Sequence, residues 1–272
     1  MSGLRLALAG APPAMRLDLS GVVPDRLVGL AVRDIALLPL GTGPNAPRLG
    51  DVFTIEGAPG DTLVIAPGAA RLDHVGAGMR AGAIILEGDA GDYAARTMHG
   101  GRLDIRGSAG DGLAASMKGG FVSVIGSAGS EAGAPAPAQR DGLKGGIVLV
   151  GGDIGPRCGM RMRSGTIIAN GRIGEAAGAR MMGGTIRTLK GFGPGPGALL
   201  KRGTLIAPSA ERMLPTYVDC GRHRLLILAL TDRYLAASLG AAAPPPLTAP
   251  VRRFMGDTST IGRGELLLTD GA

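Results

Sequence analysis

The sequence contains no Trp and few other aromatic residues, which together make up 3% of its 272 residues. A core built on large rings is therefore excluded, and any interior must be aliphatic. The same scarcity removes the platforms on which proteins stack nucleic-acid bases, so we expect no nucleic-acid partner. The 29 Lys and Arg against 22 Asp and Glu nevertheless leave a formal charge of +7, which favours an acidic partner of another kind.

Long apolar runs and cysteine motifs are also missing. No stretch approaches the roughly 20 uncharged apolar residues that a membrane span needs, so we expect no membrane association. The apolar run near the N-terminus is short and contains Arg5, and we predict no export signal from it. Cys158 and Cys220 stand 62 positions apart and form no CxxC pair, which predicts neither a zinc site nor a redox pair and suits a reducing cytoplasm.

Glycine is abundant instead, with 49 residues, and much of it belongs to an internal repeat. Six units of a Met-x-x-Gly pattern follow one another at steps of 19, 19, 26, 19 and 19 residues. A seven-residue insertion at 134–140, rich in Ala and Pro, explains the long step. The units begin at Met79, Met98, Met117, Leu143, Met162 and Met181. Within each unit, apolar residues alternate between glycine corners, and this period of two predicts one short strand per unit.

The repeat predicts an all-β fold, a right-handed parallel β-helix of about six to eight coils with short helical caps. A nineteen-residue unit is too short for a βαβ unit, and it does not divide into the three equal hexads of a left-handed hexapeptide helix. The residues that begin the units would then form an inward ladder. We expect a cap over 1–50, a β-helix core over 51–200 and a capping or docking segment over 201–272, with helices near 24–38 and 225–239.

Several segments carry a family resemblance. The Met-x-Gly-Gly units are accompanied by Asp51–Gly57, His74–Met79, Leu143–Gly146, Arg253–Asp257 and Gly262–Glu265. Together these segments, over 23–268, resemble the C-subunit of formylmethanofuran dehydrogenase and that of the bacterial formyltransferase/hydrolase complex. Both are related to the glycine-repeat C-terminal domain of the glutamate synthase large subunit, a right-handed β-helix.

The resemblance implies a cytoplasmic structural subunit with no catalytic residues and no metal site of its own. The implied partners are a metallo-amidohydrolase subunit, a formyltransferase subunit and a molybdopterin-oxidoreductase-like subunit. Such a complex transfers formyl from formyl-tetrahydromethanopterin to a methanofuran or methylofuran carrier and releases formate in one-carbon metabolism.

Three alternatives stay open. One is the C-subunit of a molybdenum or tungsten formylmethanofuran dehydrogenase, although richness in Ala, Gly, Arg and Pro suggests a GC-rich bacterium and favours the hydrolase complex of methylotrophs. The second is a free-standing β-helical enzyme that acts on an acidic polysaccharide. The third is a structural domain of the glutamate synthase type.

One set of residues stands out as a candidate site. The position after each ladder residue is basic in five units and lapses at Met182. We name these residues the basic column: Arg80, His99, Lys118, Lys144 and Arg163. Because the preceding residue points inward, the column should point outward, with neighbours about 4.8 Å apart that repel by on the order of 1 kcal/mol in water.

The pattern shows no acidic column to match these charges. The long side chains could simply fan apart in solvent. We instead predict that the basic column, helped by Arg102, Arg106 and Arg187, contacts an extended acidic partner. The resemblance suggests either the glutamate chain of a methanofuran-type carrier or an acidic face of the amidohydrolase subunit.

Other candidate sites are weaker. Glu87, Asp89, Asp92 and Asp111 could supply an acid and base for sugar cleavage, but the aromatic platforms that sugars need are scarce, so we interpret them as turn residues. The histidines are far apart in sequence, which predicts no metal site. The glycine-rich segments at 191–197 and 256–262 lack the strand-to-helix setting of a phosphate loop and are interpreted as turns.

Overall fold

The structure, a computed structural model, describes residues 3–269. Within them the chain is mostly β. The strands are β1 (Leu4–Leu8), β2 (Leu17–Asp18), β3 (Phe53–Gly57), β4 (Thr62–Ala66), β5 (Leu72–Asp73), β6 (Ala83–Leu86), β7 (Arg102–Ile105), β8 (Phe121–Val124), β9 (Ile147–Val150), β10 (Thr166–Ala169), β11 (Thr185–Thr188), β12 (Arg202–Ala207), β13 (Val218–His223), β14 (Val251–Gly256) and β15 (Arg263–Leu268). The helices are α1 (Pro24–Leu27), α2 (Val32–Ala36), α3 (Leu49–Val52) and α4 (Leu226–Leu239), with a 3₁₀ turn at Gly240–Ala242. No helix in the described residues is long and apolar enough to cross a membrane.

Thirteen strands form one mixed sheet, in the order β13-β14-β15-β12-β11-β10-β9-β8-β7-β6-β4-β1-β3, and β2 pairs separately with β5. From β4 through β6 to β12, neighbouring strands are parallel. Each residue of the repeat pairs with the one nineteen positions later, so that Ala83 pairs with Arg102 and Arg102 with Phe121. Across the insertion, Phe121 pairs with Ile147, 26 positions later. The predicted strands and their step are therefore confirmed.

Two further segments of each unit also bond to the next unit. Parallel bridges run from Ala90 to Ala109 and onward, unit by unit, as far as Ala210. Between the bridge and the next ladder residue, turns place alternate residues in the left-handed region of backbone conformation. The backbone of these turns also bonds between units, as from the Ala114 N–H to the Ala94 carbonyl at 2.7 Å. Each unit thus follows its neighbour along three segments.

The ladder residues lie in the core, and their side chains leave no room for a Cβ at the glycine of the next unit. All six are fully buried, as predicted. A Cβ on Gly120 would lie 2.7 Å from Cε of Met98 in the preceding unit, and Gly146 has the same relation to Met117. Gly120 also has a φ of +97°, a conformation that favours glycine. The motif therefore couples the methionine of one unit to the glycine of the next.

Helix α4 covers part of the outer face of the sheet, as predicted for 225–239. Outward-facing Leu149 of β9 and Ile168 of β10 are buried in a cluster with Leu235 of α4. On the next strand, the guanidinium of Arg187 donates to the Asp232 carboxylate of α4 at 3.0 Å. The helix is thus attached to the sheet by both apolar packing and an ion pair.

The N-terminal part differs from the prediction. In place of one helix near 24–38 there are two short ones, α1 and α2, because Gly29 between them adopts a φ of +87° that breaks the helical backbone. Strands β1 and β3 were not predicted. Strand β1 runs parallel to β4, and β3 runs antiparallel to β1, so they extend the sheet beyond the first unit.

Candidate functional site

The residues of the basic column lie one above another, as predicted. The backbone N–H of His99 donates to the Met79 carbonyl at 2.8 Å, and that of Lys118 donates to the Met98 carbonyl at 2.7 Å. Lys144 and Arg163 repeat this bond to the ladder residues of their own preceding units. Stacking of the units therefore positions the whole column. Met182, where the basic residue is missing, makes the same backbone bond to Met162 at 2.8 Å. Lys201 makes it to Met181 at 2.9 Å and places a further cation in line, which the sequence pattern did not identify.

Three members of the column, Arg80, His99 and Lys118, are exposed and have no carboxylate ion-paired to them in the described residues. Lys118 Nζ donates to His99 Nε2 at 2.9 Å, a bond that requires a neutral imidazole because an ammonium group only donates. Burial, and then the positive charges of Lys118 and Arg80, lower the pKa of His99. We call Arg80, His99 and Lys118 the open half of the column.

The other half of the column is paired with a carboxylate that the sequence pattern missed. Asp141, which follows the insertion at 134–140, lies 3.1 Å from Nε of Arg163 and 3.8 Å from Nζ of Lys144. No acidic residue stands at the equivalent position of the other units, so no acidic column could have revealed it. We call Lys144 and Arg163 the paired half of the column.

The three predicted helper arginines do not act together. Arg102 is exposed, lies 2.6 Å from Asp104 and packs over the ring of Phe121 at 4.6 Å. Arg106 is also exposed. Arg187 is 4% exposed beneath α4, where it pairs with Asp232, so the prediction that it contacts an outside partner was wrong. Its burial depends on a helix about forty residues away in sequence, and the repeat gives no sign of it.

Comparisons with known proteins identify the family. No protein-family model matches the chain. The C-subunit of the Fhc formyltransferase/hydrolase complex of Methylorubrum extorquens strain AM1 is 45% identical over 91 residues, which is 34% of this chain and only 33% of that relative. A chain in the crystal structure of the same organism's formyltransferase/hydrolase complex with methylofuran matches at a TM-score of 0.89 and 39% identity, over 98% of this chain and 99% of that one. The chain belongs to the C-subunit family of formyltransferase/hydrolase complexes. The resemblance predicted from sequence is confirmed.

In this member of the C-subunit family, the candidate carboxylates are engaged in the fold. Asp89 accepts the backbone N–H of Ser108 at 2.7 Å, and Asp92 accepts that of Asp111 at 3.0 Å, in each case one unit further on. Asp111 repeats the contact to the following unit at 2.6 Å. Glu87 is ion-paired with Arg5 at 2.7 Å, and this hydrogen bond, against a smaller effect of burial, lowers its pKa. These residues close turns between units, as interpreted from sequence.

His74 and Asp257 also contact neighbouring residues of the fold. His74 Nδ1 lies 3.2 Å from Asp18, and its ring stacks on Tyr93 at 5.7 Å. Burial opposes ionisation of Asp257, but hydrogen bonds, chiefly from Ser259 and from the Leu199 N–H, outweigh it and lower its pKa to about 2. Within 3–269, no three His, Cys, Asp or Glu side chains are grouped so that they could hold a metal ion. The Asp257 contacts attach the C-terminal turns to the end of the repeat.

Proposed function

We propose that this chain is a non-catalytic structural subunit of a formyltransferase/hydrolase complex that works with a methylofuran-type carrier. The observation that carries the proposal is the match over nearly the whole chain to a chain of such a complex. The engagement of Asp89, Asp92 and Asp111 in turn closure favours a structural role. Formyl transfer from formyl-tetrahydromethanopterin and release of formate belong, in this proposal, to the other subunits.

The proposed shape is a right-handed parallel β-helix of about six to eight coils, with a cap over 1–50, a core over 51–200 and a capping or docking segment over 201–272. Parallel pairing at a constant step and the two additional lines of bonds between units support it. A stack of this kind is a stiff rod whose outer face repeats every 4.8 Å or so. Such a rod suits the spacing and alignment of larger subunits.

The proposed partners are a metallo-amidohydrolase subunit, a formyltransferase subunit and a molybdopterin-oxidoreductase-like subunit. Purification of the native complex through a tag on this chain tests the assignment. We expect co-elution with larger chains and hydrolysis of formylated carrier by the complex but not by this chain alone. A lone monomer that cleaves acidic polysaccharide would support the free-standing enzyme instead, and stoichiometric molybdenum or tungsten would support the dehydrogenase.

The open half of the basic column supplies a candidate contact for an acidic chain. Arg80 and Lys118 are exposed and have no carboxylate partner within the described residues, and His99 between them accepts from Lys118. Two exposed cations on one line suit an extended run of carboxylates, such as the glutamate chain of a methanofuran-type carrier or an acidic face of the amidohydrolase subunit.

Charge reversal in the two halves of the column tests this contact. We expect Lys118→Glu to lower the amount of carrier retained per complex, or the amount of assembled complex, by about tenfold, as for a lost charged contact at an interface. Lys144→Glu is the comparison in the same column, because Lys144 is already paired with a carboxylate of this chain and Lys118 is not. Mass spectrometry of the released carrier and size-exclusion chromatography supply the readouts. Equal behaviour of both variants and the unmodified chain would contradict the contact.

A further inference from the structure

Helix α4 is apolar on two sides, and only one of them is covered. Leu228 and Leu235 are buried against the sheet. Leu226, Leu230 and Tyr234 follow one another at intervals of four residues, so they share another face of the helix. They are 77%, 50% and 57% exposed, respectively. Large apolar side chains that are exposed together on one face of a helix are typical of a surface that another chain covers.

A groove of about 920 Å³ runs between α4 and the proline-rich segment 243–249. Leu226, Ala229 and Ala236 contribute to its lining. Both walls are held in place by Asp232, which accepts from Arg187 of the sheet at 3.0 Å and from the backbone N–H of Leu247 at 2.6 Å. Because its walls are fixed in this way, the groove is preformed and would lose little entropy on binding.

The charges around this face that have no partner in the described residues are positive. Arg224 and Arg233 line the groove, and neither lies within 4.0 Å of a carboxylate in residues 3–269. The sole carboxylate of α4, Asp232, is turned inward to Arg187. In a symmetric contact between two copies, the same basic patch would face itself and repel. The surface therefore favours a different chain, one whose apolar segment is bordered by Asp or Glu.

We propose that the α4 surface, defined by Arg224, Leu226, Leu230, Arg233 and Tyr234, docks another subunit of the complex through an apolar segment with acidic flanks. The inference rests on the proposed function, since it takes the partner from the same assembly. The α4 surface is distinct from the basic column. The column residues come directly after the ladder residues, whereas α4 lies against the outer face of the strands.

The test uses the whole complex, co-expressed with a tag on this chain. Leu230→Glu places a carboxylate in the middle of the apolar face, and Arg233→Glu reverses the charge of the rim. We expect each to lower the amount of the other subunits that co-elute by about tenfold or more, the scale of an interface hot spot. Tyr234→Phe keeps the ring and should leave the yield unchanged. Ile125→Glu, at a side chain that is 61% exposed outside this surface, is the matched control.

Two further measurements separate docking from misfolding and from the broader proposal. The isolated Leu230→Glu chain should unfold within a few degrees of the unmodified chain, because half of the Leu230 side chain is exposed. A photo-crosslinking residue in place of Leu230 should attach to an Asp- or Glu-rich segment of another subunit. Full complex yield with Leu230→Glu, or crosslinks only to a second copy, would overturn the docking proposal alone. An unmodified chain that elutes without other subunits would overturn it together with the proposed function.

Discussion

Strands β7 and β8 differ from β9 and β10 on one face only. Their inward residues are buried and aliphatic in all four strands. Outward, β7 and β8 carry Asp104 and Ser123, which are partly exposed, whereas β9 and β10 carry Leu149 and Ile168, which α4 buries. The repeat therefore determines the inward residues of the stacked units, while the outward residues differ according to whether α4 covers them.

Asparagine at equivalent outward positions gives the largest expected contrast. Ile168→Asn should lower the free energy of unfolding by about 4 kcal/mol, because it removes a buried side chain and leaves an amide without partners under α4. Ser123→Asn, two strands away at the paired register position, should change it by less than about 0.5 kcal/mol. Urea denaturation of both variants measures the difference. Equal losses would mean that α4 does not cover the sheet.

The ion pair between Arg187 and Asp232 under α4 tests the same contrast, with a somewhat smaller expected loss of unfolding free energy. Asp232→Ala leaves the Arg187 guanidinium buried without a carboxylate and should cost about 3 kcal/mol of unfolding free energy. Because a buried pair can be replaced by apolar groups of similar size, the double variant Arg187→Met with Asp232→Leu should recover most of that loss. Thermal and urea unfolding supply the readout. A loss no larger than that of a surface substitution would show that Arg187 is solvated instead.

Sequence reasoning succeeded where structure depends on short-range repetition. The ladder and the strands recur at a constant step, and each is specified by residues within its own unit. Sequence reasoning failed where contacts join distant parts of the chain or involve residues that do not recur in each unit. The pairing of Asp141 with Arg163 uses an acidic residue that does not recur in the other units, the burial of Arg187 depends on α4, and β1 joins the sheet next to β4 from a distant part of the chain.

The smallest expected effect is a change in the pKa of His99, which distinguishes the open half of the basic column from the paired half. The pKa of His99 is lowered from its usual value near 6.5 by burial and by the charges of Lys118 and Arg80. The unfolded chain therefore takes up a proton that the folded chain resists. This contribution to stability is present above about pH 6.5 and is lost as the pH falls below it.

Lys118→Gln should raise the pKa of His99 towards its usual value, whereas Lys144→Gln should leave it unchanged. NMR titration of the imidazole follows both variants. His99→Gln should also weaken the loss of stability between about pH 7.5 and 5.5, a change that is small because the side chain is exposed. An identical His99 titration in both lysine variants would contradict the division of the column into an open and a paired half.

Cysteine pairs along the column test the stacking of the units most directly. In a Cys220→Ser background, His99→Cys with Lys118→Cys places two thiols on adjacent units whose Cα atoms should be about 4.8 Å apart, within the range for a disulfide. Arg80→Cys with Lys118→Cys skips one unit and doubles that distance. The account predicts that mild oxidation closes the first pair and leaves the second open. Closure of the skipped pair, or of neither, would contradict the stacked arrangement from which the column and its proposed role derive.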